Sequence, residues 1–140
     1  MIMYNEVRVF VENKSGKLAR VAGILGDAGV DILNLELVDD GQFGAFKILA
    51  ADPEAAKNAL SAAGMSAAYN QVAIIEIPDR PGGLVTLAIA LEAAGINLND
   101  AYGCILERGK RALFVVKGEN LDLIQSTANK AGLKVLDSLE

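Results

Sequence analysis

Two glycines, Gly16 and Gly82, stand where this 140-residue chain could begin to do chemistry. Asn13-Lys14-Ser15 leads into the first, with Lys17 behind it; Asp79-Arg80-Pro81 leads into the second, with Gly83 behind it. Both fall where a strand hands over to a helix. The first N–H groups of a helix lack intrahelical partners and carry partial positive charge, so they attract a carboxylate or a phosphate. A tight turn of positive φ accounts for each glycine taken alone. The polar surroundings, present at both places, are what point to a ligand. Asp31 and Asn97 form a second pair, each two residues beyond the glycine that ends a helix, Gly29 or Gly95. Such a residue can simply bond the local backbone. It can also receive the ammonium of a small ligand whose carboxylate sits at a helix N-terminus. An amino acid carries both charges.

Other chemistries are excluded by what the chain lacks. It has no His, which removes imidazole acid/base catalysis, Ser-His and Cys-His pairs and most zinc sites. Cys104 stands alone, so there is no internal disulfide, no Cys-x-x-Cys metal loop and no base to activate a thiol. The acidic pairs Asp39-Asp40 and Glu119/Asp122 read as a turn and a helix start rather than an acid/base dyad. Lys14-Ser15-Gly16-Lys17 lacks the upstream glycine and the Ser/Thr of a phosphate-binding loop. With 13 Lys+Arg against 18 Asp+Glu the net charge is -5, which argues against nucleic acid or an anionic membrane as partner. Gly41-Gln42-Phe43-Gly44-Ala45-Phe46 has the aromatics of an RNA-recognition strand but neither its basic lead nor its closing aromatic. No stretch reads as a membrane span or a signal peptide, so a cytoplasmic location and no cofactor or metal are expected.

These residues are positioned by an internal repeat. Sliding the chain by 66 residues aligns Val7–Leu35 with 73–101, and six of the 29 pairs are identical. They are Gly16/Gly82, Leu18/Leu84, Ala22/Ala88, Leu25/Leu91, Ala28/Ala94 and Gly29/Gly95: turn glycines and one helical stripe. The unit is about 70 residues long and occurs twice. In the first copy, alternation predicts a strand over 6–12 and helical spacing predicts a helix over 16–28. Strands 30–38 and 43–51 form a hairpin turning at Asp39-Asp40-Gly41. A helix opens at Asp52-Pro53 and ends at Gly64, and a short strand follows over 66–69. The second copy repeats this as strand 72–77, helix 83–94, hairpin 96–117 turning at Arg108-Gly109-Lys110, helix 120–131 and strand 133–137. The order is βαββαβ twice, an α+β chain of two ferredoxin-like units with antiparallel sheets and helices on one face. Units 1–70 and 71–140, joined by the linker Asn70-Gln71, are expected to pack together. Their thin cores and high apolar content also predict a homodimer.

Asp79-Arg80-Pro81-Gly82-Gly83-Leu84 and Gly95-Ile96-Asn97 carry a family resemblance. They resemble the loop signature Asp-x-Pro-Gly-x-Leu and the Gly-aliphatic-Asn signature of ACT domains, small modules that bind amino acids in metabolic enzymes and their regulators. The first copy departs from both, with Asn13-Lys14-Ser15-Gly16-Lys17-Leu18 and Gly29-Val30-Asp31. The resemblance covers nearly the whole chain and is greatest to stand-alone proteins of two ACT domains. It implies a non-catalytic sensor that binds a small amino acid where the loop of one unit meets the second strand of another, and that acts on a partner metabolic enzyme. With pairing inside the chain, Asp79, Arg80 and Gly82 would then join Asp31, while Asn13, Ser15 and Gly16 would join Asn97; with pairing between chains, like loops would meet like strands instead. Gly82 is expected to tolerate no side chain, because a Cβ would block the approach to the helix. The alternative is an interaction or assembly module that keeps the fold and has lost the ligand.

Overall fold

The structure, a computed structural model, describes residues 3–12, 14–39, 41 and 43–139. Asn13, a candidate ligand residue, lies outside the described residues, as do Asp40 and Gln42 of the first hairpin turn. The described residues divide into two compact units: one lies within 5–70, and the other is 71–139 with Met3 and Tyr4.

The first unit runs β1 (Tyr4–Glu12), α1 (Lys17–Asp27), β2 (Ile32–Asp39), β3 (Phe43–Ala50), α2 (Pro53–Ala62) and the opening of β4 (Ser66–Pro78). Its strand order is β2-β3-β1-β4, with β3 antiparallel to both neighbours given by register. Val7 faces Ile48 and Val9 faces Phe46 across the β1–β3 ladder. Strand alternation sends these residues to one side, where Val21 and Leu25 of α1 and Ala56 and Leu60 of α2 cover them. Helix α2 starts as its sequence demands: the Asp52 carboxylate accepts the Ala55 N–H at 3.0 Å and Pro53 takes the first helical position.

The second unit uses the rest of β4, then α3 (Val85–Ala93), β5 (Asp100–Glu107), β6 (Arg111–Lys117), α4 (Leu121–Lys130) and β7 (Lys134–Leu136). Its strand order is β7-β4-β6-β5, all antiparallel. Ala73, Ile75 and Ile77 of β4 pack with Leu87 and Leu91 of α3 and with Ile124 and Ala128 of α4. Both units are thus βαββαβ arrangements of one α+β type.

Three expectations change. Asn70-Gln71 is no linker: β4 is one strand of 13 residues running through it. Its sequence holds no glycine, and proline only at its last residue, so nothing interrupts the extended backbone. Asn70, 7% exposed, keeps its polar group satisfied by donating its side-chain amide to the Glu6 carboxylate at 3.1 Å. Helix α3 begins at Val85 and not at Gly83, because Gly83 belongs to the preceding turn. Strand β5 begins at Asp100, leaving 96–99 as a loop: Ile96 and Leu98 turn onto the core, and the Asn99 N–H bonds the Lys117 carbonyl at 2.8 Å. Asn97 therefore sits in a loop, not on a strand.

Candidate functional site

The first glycine loop is exposed at Ser15 and Gly16 and half-buried at Lys17. Gly16, with φ 92°, caps α1 without any side-chain help, and its carbonyl takes the first helical N–H, that of Arg20, at 3.1 Å. Lys14 is already engaged with Glu12 at 2.7 Å. That pairing holds the Glu12 carboxyl below, and the Lys14 ammonium above, their ordinary ranges.

The second loop is tighter. Gly82 has φ 80° and its carbonyl accepts the Val85 N–H at 3.1 Å, while the Gly83 N–H bonds the Arg80 carbonyl at 2.9 Å. A Cβ placed on Gly82 meets nothing within 4 Å. The obstacle to a side chain there is the left-handed backbone, not a blocked approach. Gly83 is the reverse case: its Cβ would lie 2.0 Å from the Pro78 carbonyl oxygen. Its N–H and its missing side chain both serve the turn. Asp79 is also committed, since its Oδ2 accepts the Gly109 N–H at 2.6 Å and its own N–H bonds the Lys110 carbonyl at 3.2 Å. The carboxylate fastens the loop to the β5–β6 turn. Arg80 is exposed.

Within each unit the two signatures lie at opposite ends of a helix. Nine residues of α3 put roughly 13 Å between the Gly82 loop and the Gly95–Asn97 segment. Ser15 and Gly16 are separated from Asp31, which is exposed just before β2, by the 11 residues of α1. A zwitterion's charges are too close together to reach both ends.

A cavity of about 420 Å³ runs along α3 in the second unit. Leu84, Leu87, Leu91, Ile96, Leu98 and Phe114 make it apolar. Glu92 and Asn97 give it a polar end. The Gly95–Asn97 segment also lines a second, more polar cavity of about 330 Å³, with Asn99, Glu119 and Asn120. The segment is held by the Gly95 N–H on the Glu92 carbonyl and the Ile96 N–H on the Leu91 carbonyl, both at 3.0 Å. Gly118 passes so close that a Cβ there would lie 3.3 Å from the Asn97 carbonyl.

Glu92 was not singled out by sequence reasoning. The one signal was that a carboxylate stands where the first copy has Gly26, at a repeat position exposed in both units. Cys104 offers no nucleophile: burial pushes its thiol up, and its Sγ lies 4.0 Å from the Ile105 carbonyl. Among the described residues no three His, Cys, Asp or Glu side chains gather as a metal site, and no helix is long and apolar enough to cross a membrane.

A model of the ACT domain pair matches residues 2–137. The chain belongs to the ACT-domain family. ACT domains are regulatory modules, and this chain is a tandem pair of them. A crystal structure from Bacteroides thetaiotaomicron superposes with a TM-score of 0.87 at 24% identity, covering 96% of this chain and 92% of that one. The regulatory subunit of aspartate kinase from Thermus flavus gives 0.53 at 16%, covering 94% and 97%. The ligand-free regulatory subunit from Thermus thermophilus gives 0.55 at 15%, covering 92% and 93%. At these identities the likeness is one of fold. No curated protein matches the chain.

Proposed function

We propose that this ACT pair is a non-catalytic sensor that binds an amino acid and adjusts a partner enzyme of amino-acid metabolism. The observation that carries the reading is that both signatures of the second unit reach one cavity. Leu84, the last residue of the first signature, and Gly95-Ile96-Asn97, the second, all line the 420 Å³ space beside α3. Its size and its apolar walls with a few polar groups are those of a small-ligand pocket. The fold shared with aspartate kinase regulatory subunits supports the enzyme-partner part of the reading. The chemistry asks for no cofactor or metal, and the location is cytoplasmic.

The test is thermal unfolding in the presence of each of the twenty amino acids. One of them, at about 100 times its dissociation constant, adds about 2.7 kcal/mol and raises the midpoint by several degrees. A flat response across all twenty refutes ligand binding.

The second reading, an assembly module without ligand, is favoured by α3. Apart from Thr86 and Glu92 its sequence VTLAIALEA is apolar, yet Val85 is 51% and Ile89 62% exposed. One turn apart, these side chains form an unpartnered crest of the kind that marks interfaces. A homodimer is expected on either reading. Light scattering at micromolar concentration should give twice the chain mass of 14.7 kDa, and the monomer mass would refute it.

A further inference from the structure

From the α3 cavity, and resting on the sensor reading above, we infer that the ligand is an α-amino acid with a bulky aliphatic side chain, whose ammonium is held by Glu92. Its head lies at the C-terminal end of α3 rather than at the glycine loop. Three features of the second unit converge on this. Glu92, exposed to solvent, is the charged residue of the cavity lining, and it sits one residue from the end of α3. The C-terminal end of a helix is itself negative, and α3 has no basic residue in its last turn to complement it. A cation placed there meets two negative sources that reinforce each other. Asn97, at the same end, can donate its side-chain amide to a carboxylate while its carbonyl faces the ammonium. The charged groups of an α-amino acid share one carbon, so both must sit at this end. The tail then runs toward Leu84, about 12 Å away along the helix axis. Leu87, Leu91, Leu98 and Phe114 line that path and offer a charged side chain nothing to pair with. An aliphatic tail gains about fourfold in affinity for each methylene it buries.

The first unit carries the same idea with the charge moved. Gly26 stands where Glu92 is, and Asp31 stands where Asn97 is. The carboxylate one residue before the helix end belongs to the second unit alone; in the first unit the corresponding helix, α1, closes on Asp27 instead.

Isothermal titration of the full chain compares L-leucine, L-isoleucine and L-methionine with L-serine, L-aspartate and L-lysine, and with 4-methylpentanoate, which keeps the tail and lacks the ammonium. Leucine, isoleucine or methionine should bind at least about tenfold more tightly than serine, and the other three should give no heat of binding. Glu92→Gln should weaken the leucine-type ligand about tenfold, the loss of a charge-assisted hydrogen bond. Glu119→Gln, on the neighbouring polar cavity, should leave it unchanged. Ala88→Phe, which fills the cavity from its α3 wall, should abolish binding while the thermal midpoint without ligand holds. Tight binding of serine, aspartate or lysine in place of the aliphatic ligands overturns the ligand class and leaves the sensor reading standing. Loss with Glu119→Gln but not with Glu92→Gln overturns the head-group placement. No binding by any of the six amino acids overturns this inference, and a flat response to all twenty in the thermal screen overturns the sensor reading as well.

Discussion

Gly83→Ala should lower the stability of the chain by about 3 kcal/mol, whereas Gly82→Ala one residue earlier should cost about 1 kcal/mol. The midpoints of thermal unfolding would then fall by about 12 °C and about 4 °C. Both glycines belong to one signature, and by sequence both are ligand residues. The structure gives them different physics. At Gly83 a new Cβ would stand 2.0 Å from the Pro78 carbonyl oxygen, a backbone atom that no rotamer change can move aside. The turn must open, and the bond from the Gly83 N–H to the Arg80 carbonyl at 2.9 Å goes with it. At Gly82 the space is empty and only the φ of 80° resists. Valine, being β-branched, suits that backbone worse than alanine does, so Ala is the variant that separates binding from folding. Equal midpoints for the two alanine variants would show that the turn relaxes freely and that Gly83 is no packing requirement.

The second large effect lies at a position read from sequence as a linker. Asn70→Leu should destabilise the chain by about 2–3 kcal/mol, measured by urea unfolding, with no change expected from the neighbouring Gln71→Ser. Asn70 donates to Glu6 at 3.1 Å, and Glu6 is 1% exposed. Removing the amide takes a donor from a buried carboxylate, and leucine cannot replace it. Glu6→Leu combined with Asn70→Leu should recover less than the whole loss, because it removes the unsatisfied carboxylate but also takes from Arg8 its ion-pair partner at 3.7 Å. If the single variant is as stable as the parent, the Glu6–Asn70 bond contributes nothing to stability.

Much of the fold was legible because it is written in short-range terms. Val7, Val9 and Val11 alternate, so one face of β1 is apolar whatever it meets. Val21 and Leu25 repeat at helical spacing, and Asp52-Pro53 start a helix through a bond only three residues long. Asn120 caps α4 in the same way, accepting the Leu123 N–H at 3.0 Å. The start of β5 was misplaced because Ile96 and Leu98 alternate like strand residues; their partners are core side chains and not a ladder.

The candidate site divides along the same line. By itself the sequence determined the repeat, the order βαββαβ, the glycine turns at Gly16 and Gly82, and the two signatures that name the family. The repeat comes from comparing positions 66 residues apart; the others depend on residues within a few positions of one another, where backbone preference and side-chain period decide the outcome. The tertiary structure alone decided that Asp79 fastens its loop to Gly109, 30 residues away, and that Asn70 answers Glu6, 64 residues away. It alone decided that Glu92 and Asn97 share the polar end of an apolar cavity. Those pairings follow from strand register and helix packing, which place side chains together only once the whole unit has closed, so no local pattern could announce them.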